Sequence, residues 1–451
     1  MMIVVTYVAF FILTLLCIIL TYKSWKDREG KTVINNPNFK SFQRQYLPAY
    51  CLALVADWLQ GPYLYKLYRD YGFEQAQIAV LYVFGHASAV ILGTWAPFIA
   101  NKFGRRNLCI IFTMLYSISC FMKLSRSYGL LLLGRIFAGM ATAVLFSSFE
   151  AWYISEHIER HDFPKEWISD SMKKLSILNG SLAVVSGLIA NAVAEWLNLG
   201  SIAPFMLAVP CLLISGIVVI TNWEENYGTE TLYFKSACIS GLREIGDSQK
   251  ILLLGAIQSL FESVLALMIF LWTPVLAPGE PSFGIVFSSF MVCIMIGNAL
   301  FDIVNKKVDH YMILAGAISL AFFATCCCAV FAHYNHVNVR LCFIAFLFFE
   351  ISVGIYFSAM SKFREEVIPE THAVSIMNWF RVPLNIISCV ILMLLRDESF
   401  RHGNRIVFVI CSCLLCGALI CTTRLVPLIR KTTPTADGET GDNDVFIAVS
   451  S

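Results

Sequence analysis

The chain has 451 residues, 58% hydrophobic, 14% aromatic and only 14% charged, and its 33 Lys and Arg nearly balance 31 Asp and Glu for a formal net charge of +2. Soluble domains carry about 25% charged residues, so this composition excludes a soluble globular protein, and the charge balance excludes a nucleic-acid partner. The surroundings it implies are a lipid bilayer, whose core of about 30 Å takes about 20 mainly apolar residues per helix.

Apolar runs predict transmembrane helices near 2–22, 46–67, 74–100, 107–123, 129–152, 172–195 and 202–221. Beyond a polar stretch, further helices are predicted near 250–275, 282–304, 311–332, 338–359, 376–395 and 404–427. The expected organisation is an N-terminal helix with a linker (1–45), a six-helix bundle (46–221), a central loop (222–249), a second six-helix bundle (250–427) and a disordered polar tail (428–451). The first run lacks a basic n-region and an A-x-A cleavage site, which reads as a retained anchor rather than a signal peptide. Placing residues 23–45 in the cytoplasm puts most of the 33 basic residues on that side, as the positive-inside rule requires. The N-terminus is then outside, the C-terminus and the central loop are cytoplasmic, and the protein is a multi-pass one.

Between the third and fourth spans lies "PFIANKFGRR" (97–106), and the fifth opens on "GRIFAGMATA" with Arg135 and Gly139. A fainter echo of the first, "GNALFDIVNKK", follows in the second half, as parallel six-helix repeats would leave. These segments resemble the signatures of the major facilitator superfamily, with Pro97 and Asn101 replacing the Gly and Asp of its loop motif. "ADWLQGPYLYKLY" (56–68), "FSSFEAWYISEHIERHDFPKEW" (146–167), "LFESVLALMIFLWTPVL" (260–276) and "MNWFRVPL" (377–384) are similar to the molybdate-anion transporter family within it. The resemblance implies an all-α major facilitator fold of two pseudo-symmetric six-helix bundles plus the extra first helix. It also implies secondary transport of the molybdate anion by alternating access, in the cell membrane, by a monomer without cofactors.

The residues add their own evidence through charges inside the hydrocarbon region. Asp57, Arg135, Glu262 and Glu350 each fall well within a span. An ionisable group there costs about 2.5–3.5 kcal/mol, so the four represent about 10 kcal/mol if unpaired. They belong to the first, fourth, seventh and tenth core helices, which in the superfamily line the central cavity. Arg135 carries a donor fork that matches paired oxygens of an oxyanion; the alternative is that it balances Asp57 or Glu350. Asp57, Glu262 and Glu350 are candidate proton carriers, Glu262 foremost, the alternative being protonated side chains bonded to neighbouring helices. Gln60 and Gln258 are polar cavity candidates, and Arg381 is either an anion contact or a snorkelling anchor. Glu150, one turn from the cytoplasmic end, is expected to bridge to Arg105 and Arg106 and latch that gate. Pro62, Pro274 and Pro383 mark candidate hinges.

Other chemistries find no support. The sixteen cysteines lie almost wholly in spans and read as small packing residues. No phosphate-binding G-x-x-x-x-G-K-[ST] loop is present. "HIERHDF" reads as a solvated loop helix rather than a metal or acyl-transfer site, so no metal and no enzyme are expected. Two alternatives remain open: a carrier of a cationic or zwitterionic metabolite, suggested by the surplus of buried carboxylates, and a non-transporting receptor or scaffold.

Overall fold

The computed structural model describes residues 2–26, 36–227, 234–333, 336–369, 372–395 and 404–430; residues 431–451 of the expected tail lie outside them, as do the side chains of Pro97 and Asn101. In chain order the helices are α1 (Met2–Lys26), α2 (Pro37–Trp58), α3 (Leu64–Asp70), α4 (Gln75–Phe103), α5 (Arg105–Met122), α6 (Tyr128–Ser155), α7 (Glu166–Asn191) and α8 (Ala203–Asn222). They continue with α9 (Phe234–Asp247), α10 (Gln249–Leu276), α11 (Phe283–Val304), α12 (His310–Phe331), α13 (Val339–Val367), α14 (Ala373–Leu394) and α15 (Asn404–Arg430). A two-residue antiparallel pairing of Ala332–His333 with His336–Val337 closes the turn between α12 and α13.

Among the described residues, eleven helices are long and apolar enough to cross a membrane. The other two expected spans are helical as well. The first core span is divided between α2 and α3, and α5 opens on Arg105, Arg106 and Asn107, which dilutes its apolar run.

Local chemistry explains the boundaries. The Asn36 side chain accepts from the Asn38 and Phe39 amides, and Pro37 follows at the first helical position, where its missing N–H is no loss. Asn338 caps α13 in the same way through the Leu341 amide. Glu74 and Gln77 form a reciprocal capping box at the start of α4. Pro62 cannot donate to the carbonyl one turn behind it, and there the first core helix breaks into a tight 3-10 turn at Gly61–Tyr63. Pro274, by contrast, lies inside α10, which runs on to Leu276, and Pro383 lies inside α14.

The two halves repeat one packing plan. In the first, α4 packs on α6, α5 on α6 and α8, and α2 on α8 and α7; in the second, α11 packs on α13, α12 on α13 and α15, and α10 on α15 and α14. The halves meet along α7 with α11 and along α4 with α14. Small residues permit the closest crossings: a Cβ on Gly139 of α6 would overlap the Gly85 carbonyl and Ser88 hydroxyl of α4, and one on Gly354 of α13 would overlap the Ile294 carbonyl of α11. The R-x-x-x-G signature thus has a packing reason at its glycine.

The extra helix α1 lies along α11, with Cys17 buried against Val292 and Ile296. The Ser24 hydroxyl donates to Asp302 at one end, and at the other the Tyr7 hydroxyl accepts from the Trp196 indole of the first half. Its outer face, including Phe11, Ile12 and Ile18, is exposed, as a lipid-facing surface is.

Candidate functional site

Two polar clusters lie within the bundle, one in each half. In the first, the Tyr116 hydroxyl of α5 donates to Asp57 at the end of α2, 2.6 Å away. Three residues on, at the break in the helix, lies the buried Gln60, whose Oε1 accepts from Lys123 Nζ at 3.3 Å. Lys123 is 1% exposed, also donates to the Ser119 hydroxyl at 2.9 Å, and lies 5.2 Å from the Phe205 ring. From α6, Arg135 donates through Nε to the Leu81 carbonyl of α4 and sits 5.0 Å over the Tyr82 ring. Its guanidinium lies flat on Gly85, where a Cβ would come within 2.6 Å of Nη2. The Tyr68 hydroxyl and His86 Nε2 are buried here without hydrogen-bond partners among the described residues.

In the second cluster, Glu262 of α10 accepts from Arg364 of α13 at 3.1 Å and from the Tyr356 hydroxyl at 3.4 Å. Tyr356 is itself fixed by stacking on Phe261, ring centroids 3.8 Å apart. Gln258, one turn before Glu262, is 1% exposed and its Oε1 lacks a partner among the described residues. Arg381 of α14 acts on the same carboxylate electrostatically and lies beside Gly93 of α4 in the other half.

The two clusters together hold Lys123, Arg135, Arg364 and Arg381 against Asp57 and Glu262. Cations therefore outnumber the carboxylates, which reverses the surplus of buried acids that the sequence suggests.

At one end the halves are packed together. Where α2 gives way to α3, Tyr65 and Tyr82 pack edge-on against Phe270, at 5.4 and 5.2 Å, and Trp58 packs against Phe287. The Phe283 amide donates to Glu195, and Gln75 donates to Asn404, across the halves at the same end. At the Gly104 end, Glu150 and Arg381 are exposed.

The Gly104 turn is held by a residue outside the expected set. Glu225, just beyond α8, accepts from the backbone amides of Arg106 (2.9 Å) and Asn107 (3.2 Å). Those are unsatisfied first-turn donors of α5, so a carboxylate is favoured there. Arg106 donates from its side chain to the Ile220 and Val219 carbonyls, and Arg105 from its amide to Asn226. The segment is anchored further by Trp152 and Trp223, stacked at 3.9 Å, and by Arg160, which pairs with Glu156 and Glu224. The Arg160 hydrogen bond holds the Glu224 carboxyl below the ordinary glutamate range.

This architecture has close relatives. The family described as sugar transporters, 12 TM, matches residues 5–354. The molybdate-anion transporter of Xenopus tropicalis is 41% identical over 409 residues, 90% of this chain and 90% of that one. The molybdate-anion transporter of Takifugu rubripes is 38% identical over 481 residues, covering 99% of this chain and 100% of the relative. The chain belongs to the molybdate-anion transporter family of the major facilitator superfamily. Its fold is also that of a D-xylose-proton symporter structure, with a TM-score of 0.68 at 12% identity over 88% of this chain and 100% of that one. The family is one of transporters, not enzymes.

Within this transporter fold, the predicted residues are distributed unevenly. Asp57, Gln60 and Arg135 come together in the first cluster, and Glu262, Gln258 and Arg381 in the second. Glu350 joins neither. It is 7% exposed, lies one turn before Gly354, and faces Cys293 of α11, because the close crossing at Gly354 turns that side of α13 towards α11. The expected bridge from Glu150 to Arg105 and Arg106 is not formed: the Arg106 side chain is taken by the Val219 and Ile220 carbonyls, Arg105 Nη1 is buried without a partner among the described residues, and Glu150 is exposed. "HIERHDF" is likewise not a solvated loop helix, since Glu156 and His157 are buried and His157 packs among Phe39, Phe42, Tyr153 and Phe163.

Tyr116, Lys123, Tyr356, Arg364 and Glu225 were not anticipated. Arg364 falls beyond the predicted end of its span, but α13 runs on to Val367, and helical side chains lean towards the N-terminus, so its guanidinium returns to the level of Glu262. Lys123 ends a span and reads as an interfacial cation until the fold buries it.

Proposed function

We propose that this protein is a secondary transporter that carries the molybdate oxyanion into the cell by alternating access of the two bundles, 46–221 and 250–427, about the plane between them. The observation that carries this reading is the cationic balance of the two clusters, one in each half, in a chain whose relatives over nearly its whole length are molybdate-anion transporters. An ion pair of one arginine and one carboxylate would suit a neutral sugar. Four cations against two carboxylates suit an anion with several oxygens, which arginine forks bind in pairs.

Arg135 and Arg381 are the substrate contacts on the two halves, with Gln60 and Gln258 as neutral donors beside them. Asp57 and Glu262 are the carboxylates placed to carry coupling protons; Glu350, set against α11, is the remaining candidate. Lysine and arginine bias supports an N-terminus outside and a C-terminus and segment 222–249 in the cytoplasm; a monomer in the cell membrane is part of the same reading. In that orientation the aromatic closure at Phe270 is the outer gate, the cavity opens inward, and Arg105, Arg106 and Glu150 border the cytoplasmic gate.

The test is molybdate uptake by proteoliposomes, with and without an inward proton gradient and with excess sulfate. Saturable uptake that Arg135→Ala abolishes supports the reading. Well-folded protein that takes up no molybdate under either gradient refutes it, and uptake indifferent to the gradient removes the proton-coupled part alone.

A further inference from the structure

The ion pair between Glu262 and Arg364 is made in an unusual way. Arg364 offers only Nη2 to one carboxylate oxygen, at 3.1 Å, while its Nε is buried without a partner among the described residues. A structural arginine–carboxylate bridge normally engages two parallel N–H groups. Here half of the fork is idle, in a place where an unmet donor is costly. The pair is also partly accessible, with side chains 17% and 26% exposed, and a second guanidinium, Arg381 of α14, acts on the same carboxylate electrostatically without forming an ion pair with it. The Tyr356 hydroxyl reaches the oxygen that Arg364 holds, and the Gln258 amide lies a turn away. Two arginines, a phenol and an amide thus surround one carboxylate that fits them incompletely.

Resting on the transport reading above, we propose that Arg364, with Arg381, is the second-half binding site for the tetrahedral oxyanion, and that the Glu262 carboxylate is a tethered stand-in that the oxyanion displaces. A tetrahedral dianion can accept from Nε and Nη2 of Arg364 together while another oxygen faces Arg381, which a single carboxylate arm does not achieve. It cannot share the site with an ionised Glu262, because like charges at contact repel. Entry therefore swings Glu262 off Arg364 as the substrate arrives. One anion replaces another, so the half-buried guanidinium is never left without a counter-charge, the state that makes breaking such pairs expensive. The same exchange explains how a site can hold a carboxylate and still select an anion.

Equilibrium binding of molybdate to the purified full-length protein, read by the shift in its melting transition, tests this alongside uptake KM and kcat in proteoliposomes. Glu262→Gln removes the competitor while keeping its shape, and is expected to tighten molybdate binding at least threefold. Arg364→Lys keeps the charge but loses the fork, and is expected to weaken binding at least tenfold. Should the lysine variant fold poorly, the double variant Glu262→Gln with Arg364→Gln removes both charges of the pair together and is expected to melt normally and to lose the molybdate-induced shift. Wild-type binding with either Arg364 variant unimpaired, or weaker binding in Glu262→Gln, overturns the exchange while leaving transport intact. A wild-type protein that melts cooperatively yet neither binds nor carries molybdate overturns the transport reading itself.

Discussion

Replacing Gly104 by alanine tests whether the turn between α4 and α5 is built around Glu225. Gly104 has φ 91° and ψ 143°, a region that is essentially glycine's own and costs other residues about 1–3 kcal/mol. A Cβ there would also overlap the Glu225 carboxyl. The substitution must therefore dislodge that carboxylate from the Arg106 and Asn107 amides. Hydrogen bonds to a charged group contribute about 1.5–3 kcal/mol each, and this rim is half-exposed, so the low end applies and the pair is worth about 3 kcal/mol. Gly104→Ala is then expected to destabilise the protein by about 4–6 kcal/mol, the sum of strain and lost cap. Glu225→Ala alone is expected to remove about 3 kcal/mol. In a Glu225→Ala background the clash is gone, and Gly104→Ala should cost only the strain, about 1–3 kcal/mol. Denaturant unfolding in detergent of the wild type, both single variants and the double variant closes the cycle. Strict additivity, or a Gly104→Ala protein as stable as wild type, would refute the account.

Other residues give independent tests. Tyr116→Phe leaves half-buried Asp57 without its 2.6 Å donor and should destabilise by about 1–3 kcal/mol, measurable by the same unfolding assay. Gly85→Ala pushes on the mobile end of Arg135; its expected signature is a raised molybdate KM with stability nearly unchanged. Gly139→Ala meets backbone on α4 instead and should lower stability by about 1–3 kcal/mol through overpacking. The Glu224 carboxyl is depressed in the folded state by Arg160, so the stability it adds is present above the ordinary glutamate pKa, about 4.3, and disappears as pH falls through the lower folded value. Wild type and Glu224→Gln should therefore differ in melting at neutral pH and converge in acid.

Much of this protein is written in short-range pattern. Stretches of about 20 apolar residues must be helices because lipid offers no partner for a bare peptide group, and every predicted span is helical, the first core span alone being divided between two helices. The glycine of "NKFGRR" and the proline of "QGPY" act through their own backbone geometry, so they could be placed from the sequence. The motifs that mark the family, Gly104–Arg106 and Arg135–Gly139, are local too. What the chain alone could not decide is which charges meet. Glu262 has no cation near it in sequence, and its partner Arg364 lies 102 residues away on a helix longer than its apolar run. Glu350 looks equivalent to Glu262 by depth, yet a crossing at Gly354 turns it towards α11. Glu225 reads as part of a linker, but the return of α8 sets it against the amides of α5. Depth in the membrane is a property of one segment, whereas pairing depends on the rotation and crossing of two helices. Packing across the whole bundle sets those angles, and for that reason the balance of cations over carboxylates emerged only from the tertiary structure.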